Sequence, residues 1–304
     1  MSNTAEVTDR FARAITVDPH FDSAVVSYIE AMVSWRRGLG NFNKVVSCGA
    51  RQRIMKSVLR LHFGNATENP DDGATFERLL SLANPREGGD SCGPRVLRTV
   101  ISLAQRTGHL QVSKGWFDRR LKILRPTEKW IAQEADRHEA ALQSLQLLAL
   151  DRSRFQEPPR GAALVARLST ASQFDQSCGL SLGAPDGALR VICALDGGLA
   201  TAFAVADAFL RDKRIPSHKE IGASFRLSAS QARKILRLAA DHGLVAFDRL
   251  GKISDAAGLA AEARRLVAQE LSVYARCMAQ ARQPSADMLL PVALQTTSSA
   301  EHAN

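Results

Sequence analysis

The sequence predicts a mainly α-helical chain with small β-wings, in which one helix–helix–hairpin unit occurs twice and long helices link the copies. Three observations predict it. Apolar residues recur at the three- and four-residue spacing of buried helix faces over most of the chain. The segment LRTVISLAQRTGHL, starting at Leu97, aligns without a gap with ARKILRLAADHGLV, starting at Ala232. The positive charge of the chain gathers in and just after these same two segments.

At 304 residues the chain exceeds the usual single-domain size, so two domains are expected. Residues 1–157 form the first and 158–283 the second, with Pro158 and Pro159 marking the linker. A tail, 284–304, rich in Ser, Thr and Ala, is expected to be disordered. Hydrophobic residues at 45% and charged residues at 23% exclude a disordered chain as a whole. The five cysteines are scattered and form no CxxC pair, which argues against a disulfide scaffold or a zinc site and for reduced thiols. The N-terminus has no basic stretch leading into an apolar one, and the most apolar run, Leu199–Leu210, is too short for a membrane span and carries Asp207. No membrane partner and a cytoplasmic, nucleoid-associated location are therefore expected.

Taken in order, helices are expected over Phe21–Trp35 and over Arg51–Phe63, the latter with Ile54, Val58 and Leu61 on one face. The loop signals Asn69, Pro70, Asp71, Asp72 and Gly73 precede a third helix, Thr75–Ala83. Pro94, suited to a first-turn position, opens a fourth that runs to Thr107 before Gly108 stops it. From His109 the helical period fades, and the runs His109–Lys114 and Trp116–Leu124 are expected to pair as a hairpin about Gly115. Thr127 then caps a long helix carrying Trp130, Ile131, Leu142, Leu145 and Leu148.

Beyond the prolines, Ala162–Leu168 is expected to be helical and Leu189–Leu195 reads as a short apolar strand, but residues 160–198 carry no functional signal. After Gly197 and Gly198 the earlier order returns. Helices are expected over Leu199–Leu210, Ser217–Phe225 and Ser230–Asp241, then a short hairpin, then a helix from about Asp255 to Ala281.

The repeat carries structural detail. At a constant offset of 135, Arg98 meets Arg233, Ala104 meets Ala239 and Gly108 meets Gly243, so both helices bury one stripe and stop at one glycine. Further on, FDRRLKI from Phe117 matches FDRLGKI from Phe247 at an offset of 130, the second hairpin being five residues shorter. A helix, a second helix and a β-wing in this order describe a winged helix-turn-helix domain, here in tandem.

Charge points to a nucleic-acid partner. Residues 94–129 hold nine basic and two acidic side chains, a net +7, and residues 211–252 hold ten basic and four acidic, a net +6. Against a total of +9, the remaining residues sum to −4. Positive charge focused in this way is the footprint of a phosphate-binding surface. On the first helix Arg95, Arg98, Thr99 and Ser102 are expected to face outward, and on the second Ser230, Gln231, Arg233, Lys234 and Arg237, as donors for base edges in a major groove. The entry RLSAS, with Ser228, offers hydroxyl caps and helix amides for a phosphate. At the hairpins Lys114, Arg119, Arg120 and Lys122, and then Arg249 and Lys252, are expected to reach the backbone or minor groove. His109 and His242, flanking the stop glycines, are expected to cap or contact phosphate.

The run DRRLKILRPTEK, with Asp118, Arg120, Thr127, Glu128 and Lys129, resembles the wing signature of MarR-family transcription regulators. The resemblance implies that Asp118, and by the repeat Asp248, brace the wing by pairing with a neighbouring arginine while Arg120 reaches the minor groove. Leu250 stands where the second hairpin would carry that arginine. It further implies a transcription regulator reading double-stranded DNA, either as a pseudo-dimeric monomer or as a homodimer, with a possible small-molecule effector left unidentified. Two alternatives stay open: a plasmid-type replication initiator with two winged domains, and a winged-helix protein-interaction module using Trp35, Trp116 or the MLLPVAL run from Met288. No cofactor is expected, and no P-loop, HExxH, GxSxG or paired-carboxylate motif points to an enzyme.

Overall fold

The computed structural model describes residues 12–64, 71–83, 92–150, 157–177 and 187–279. The chain is mainly helical. Helix α1 (Phe21–Gly38) buries Phe21, Ala24, Val25, Tyr28, Ile29, Met32 and Val33, a stripe at helical spacing. A 3₁₀ turn (Gly40–Lys44) leads to α2 (Gly49–Gly64). Then come α3 (Phe76–Ala83), α4 (Pro94–Arg106), the strands β1 (Leu110–Lys114) and β2 (Lys122–Pro126), and α5 (Glu128–Gln146).

After α6 (Gly161–Ser177) and α7 (Gly187–Cys193) the same succession recurs. It consists of α8 (Gly198–Leu210), α9 (His218–Phe225), α10 (Ala229–Asp241), β3 (Ala246–Phe247), β4 (Ile253–Asp255) and α11 (Ala257–Ala279). Each strand pair is antiparallel. The segment before α3 flanks the first pair, where the Leu124 N–H donates to the Ala74 carbonyl at 2.8 Å. Gly73 permits that approach, because a Cβ there would lie 2.3 Å from Ile123 Cγ2.

Two sequence expectations need correction. The apolar run Leu189–Leu195 is helical over Gly187–Cys193, with Leu189, Ile192 and Cys193 buried. These three positions share one helix face, a reading that a short continuous apolar run does not exclude. In the first hairpin, the second strand begins at Lys122 and not at Trp116. Residues 115–121 instead close a loop, in which the Leu121 N–H donates to the Asp118 carbonyl at 3.0 Å and the Gly115 N–H to the Leu121 carbonyl at 2.9 Å. The tail 284–304 lies outside the described residues.

Two hydrophobic clusters form the interior, and α5 and α6 run through both. Trp130 and Ala135 of α5 pack with α2, α4 and the first hairpin, whereas Ala141, Leu142 and Leu145 of the same helix pack with α8, α10 and α11. Helix α6 divides likewise, Val165 to the first cluster and Leu164 and Leu168 to the second. Helix α1 gives its stripe to the second cluster, although it precedes the first unit in the chain.

Where α1, α5 and α11 meet, the interior turns polar. Arg137 forms a buried ion pair with Glu134 at 2.8 Å and donates to His138 Nε2 at 3.3 Å. His138 Nδ1 in turn lies 2.7 Å from the Tyr274 hydroxyl. The Tyr28 hydroxyl donates to Glu270 across the same seam. A cavity of about 40 Å³ adjoins it, lined among others by Arg36, Lys56, Trp130, Glu134, Arg137 and Glu270.

Candidate nucleic-acid interface

The second unit shows the construction most completely. Helix α9 opens with a reciprocal cap: Ser217 Oγ accepts the Glu220 N–H, and Glu220 accepts the Ser217 N–H at 2.8 Å. It closes at Arg226, whose φ of +59° turns the chain sharply. The Leu227 N–H then donates to the Gly222 carbonyl at 2.9 Å. Gly222 is needed there, since a Cβ would stand 2.9 Å from the Leu227 carbonyl oxygen. Ser228 caps α10 by accepting the Gln231 N–H at 3.1 Å.

Helix α10 buries Ala232, Ile235, Leu236 and Ala239 and leaves Ser230, Arg233, Lys234 and Arg237 exposed. Arg214, His218, Arg233 and Arg237 line a groove between the start of α9, α10 and the hairpin, with Leu250 and Lys252 closing it from the hairpin side. Arg233, Arg237 and the hairpin thus open onto one concavity. Arg249 is exposed in the hairpin.

Gln231 departs from expectation. Its amide nitrogen donates to the Asp196 carbonyl at 2.8 Å, so the side chain ties α10 to the turn before α8 and is not on the outward face. The spacing placed it near the edge of the apolar stripe, where either direction satisfies a helix, and a partner 35 residues away decided the matter. Ser228 is exposed but engaged in capping, with its oxygen 2.9 Å from Ser230 Oγ. Arg233 donates to His218 Nε2 at 3.1 Å.

In the first unit Arg95, Arg98, Thr99 and Ser102 are exposed on α4 while Leu97, Val100 and Ala104 are buried. Thr99 Oγ1 donates back to the Arg95 carbonyl at 2.9 Å. The Arg98 guanidinium stands 5.3 Å from the Phe76 ring centroid, which holds the side chain against α3. Lys114 and Lys122 face one another directly across the ladder. Like charges so placed are unfavourable unless an anion is nearby. Arg119 and Arg120 are exposed in the loop between them.

Both aspartates brace the hairpins through the main chain. Asp118 Oδ1 accepts the Arg120 N–H at 2.9 Å, and Asp248 Oδ1 accepts those of Leu250 at 2.9 Å and Lys252 at 2.8 Å. Among the described residues neither pairs with an arginine, so the ion pair implied by the family resemblance is replaced by turn bonding. The aspartate carbonyls complete the same turn twice, accepting Leu121 N–H at 3.0 Å and Gly251 N–H at 3.0 Å. The helix stops match as well. His109 N–H donates to Ala104 and Leu244 N–H to Ala239, at 2.8 and 2.9 Å, beside Gly108 at φ +74° and Gly243 at φ +69°.

The TEK run also has a structural role. Thr127 Oγ1 donates to the Gly108 carbonyl at 2.8 Å and accepts the Trp130 N–H, while Lys129 Nζ donates to the Thr107 carbonyl at 3.0 Å. The start of α5 thereby caps the end of α4. His109 is buried, not exposed to a phosphate: its ring stacks on Phe42 with centroids 3.6 Å apart, between Thr107 Oγ1 and Gln133 Oε1, each at 2.9 Å. His242 is exposed.

The sequence marks Asp71 only as a loop residue, with no sign of its role at the hairpin. Its carboxylate accepts the N–H groups of Trp116, Phe117 at 2.9 Å and Asp118 at 3.0 Å, and so anchors the tip of the first hairpin. Desolvation alone would raise its pKa, but these three donors overcome it and hold the carboxyl below its ordinary value. No local signal announces a bond across 45 residues. Arg214 and His218 also lack a sequence signal for the groove, although both fall in the basic segment 211–252. Arg214 grips Glu220, and that bond, with those from Ser217, brings the Glu220 carboxyl down to about 2.

Some of the arginines are held in ion pairs. Arg51, Arg78, Arg137, Arg211, Arg214, Arg264 and Arg265 each have a carboxylate within 4.0 Å. Among the described residues Arg95, Arg98, Lys114, Arg119, Arg120, Lys122, Arg233, Lys234, Arg237, Arg249 and Lys252 have none. No protein-family model, curated protein or solved structure significantly matches the chain.

Proposed function

We propose that the chain is a sequence-specific double-stranded DNA-binding transcription regulator with two non-identical winged helix-turn-helix modules, resembling the MarR family in tandem form. The observation that carries this reading is the groove of the second unit, where α10 and the hairpin direct Arg233, Arg237 and Lys252 onto one concave surface. Two further features support it: the repetition of the helix stop and hairpin turn, and the clustering of exposed cations on those surfaces. Helices α4 and α10 are the recognition elements, with Arg98 and Arg233 in equivalent positions reading base edges. Lys114, Lys122, Arg249 and Lys252 bind phosphate and carry no sequence information. Because α4 and α10 expose different side chains, the two modules read different half-sites within one asymmetric operator.

The test is selection of duplexes from a random pool, followed by gel-shift titration. Arg98→Ala combined with Arg233→Ala weakens binding and flattens sequence preference, each lost base contact costing about 1–3 kcal/mol. Lys114→Ala weakens binding to all sequences alike and lowers the salt slope by roughly one contact. Unchanged affinity in both variants at fixed salt overturns the assignment.

A further inference from the structure

Resting on the DNA-binding reading above, the geometry points to a second activity of the hairpins. Trp116 and Phe117 on the first and Leu250 on the second act as apolar wedges that enter the minor groove, part a base-pair step and bend the duplex.

Exposure is the first observation. Trp116 is 78% exposed, Phe117 76% and Leu250 81%, whereas Trp130 is 1% exposed and Trp35 is part-buried with its N–H bonded to the Gln133 carbonyl. A single apolar side chain at a surface is ordinary. Two adjacent aromatics at the tip of a hairpin, with Arg119 and Arg120 following after Asp118, combine an apolar point with cations on its flank.

Preorganisation is the second. The backbone N–H groups of Trp116 and Phe117 are both held by Asp71, and Gly115 admits that carboxylate because a Cβ there would come within 3.0 Å of Asp71 Oδ2. Leu250 is fixed in the same manner by Asp248. Ordering these tips therefore costs little on binding.

Direction is the third. On the second hairpin Leu250 lines the same groove as Arg237 and Lys252, so there the apolar tip and the cations serve one surface. A duplex minor groove offers stacked bases between two rows of phosphate, which matches an apolar point with cations beside it. Inserted apolar residues of this kind kink DNA by roughly 20–90°. An anionic bilayer offers charge and an apolar interior too, but a flat surface makes no use of a concave groove.

The experiment uses the full chain and an end-labelled duplex selected from a random pool by the wild-type protein, with bending followed by energy transfer between the ends. The double variant Trp116→Ala, Phe117→Ala, and separately Leu250→Ala, reduce the bend and weaken binding by roughly tenfold while leaving the salt slope unchanged, since an apolar contact with the bases is lost and no charge is removed. Arg119→Ala lowers the salt slope by contrast. Trp116 fluorescence, obtained as the difference between wild type and Trp116→Phe, is quenched by the duplex. Wild-type bend and affinity in the wedge variants overturn this inference and leave DNA binding standing. A blue shift of Trp116 on phosphatidylglycerol vesicles, with no quenching by duplex, overturns it in favour of a membrane contact. Failure of the wild-type protein to select any duplex overturns both readings.

Discussion

His109 illustrates how much a single position changes between sequence and structure. Next to a stop glycine it looks available to a ligand, yet its ring is sealed between Phe42, Thr107 and Gln133. Burial holds its pKa down at about 4, against an ordinary 6.5, although the Gln133 bond works the other way. Because the folded pKa lies below the unfolded one, the stability His109 contributes is present above pH 6.5 and is lost as pH falls through 4. His138, also pushed down by burial and by Arg137, acts in the same direction, while Glu270, raised to about 7 by burial, acts in the opposite one. The thermal midpoint measured from pH 7 to 4 is expected to fall less steeply in His109→Phe, which keeps the stack and removes the titration. An identical slope in both proteins removes His109 from the account.

At the scale of the element, the turn between α9 and α10 and the stop after α10 rest on glycines for different reasons. Gly243 has a positive φ and open space around its Cα, so Gly243→Ala costs about 1–2 kcal/mol from backbone strain alone. Gly222 lies against the Leu227 carbonyl, and Gly222→Ala displaces the turn that orients α10. Overpacking of this sort costs typically 1–3 kcal/mol, and here it also shifts the helix relative to its groove. Denaturant titration is expected to show both variants destabilised, and DNA titration to show a further loss of affinity in Gly222→Ala alone. Equal DNA affinity in the two variants contradicts the assignment of α10 as a reading element.

At the scale of the molecule, the two units are held by a shared interior and are not strung on a linker. Helices α1, α5, α6 and α11 carry residues of the second cluster, and α5 and α6 reach into the first. The Glu134–Arg137 pair sits at this junction, both side chains nearly buried. Removing one partner strands a buried charge, so Arg137→Met is expected to destabilise by about 3–5 kcal/mol, while the double variant with Glu134→Met recovers most of that loss. A double-mutant cycle with no recovery places the cost in packing instead.

The sequence by itself determined the local features. Helix spans follow from apolar periodicity, the stops at Gly108 and Gly243 from the need for a positive φ, and the repeated hairpin turn from FDRRLKI and FDRLGKI. The exposed cations of both helices were legible for the same reason: charge at helical spacing opposite an apolar stripe has one place to go. What only the tertiary structure decided were the long-range partners. Asp71 anchors a hairpin 45 residues away, Gln231 turns inward to Asp196, His109 is enclosed, and the run at Leu189 becomes a helix once α8, α10 and α11 surround it. Spacing specifies which face a side chain occupies on its own element, but a residue at the margin of that face takes its direction from whatever packs beside it. That neighbour is set by the path of the whole chain.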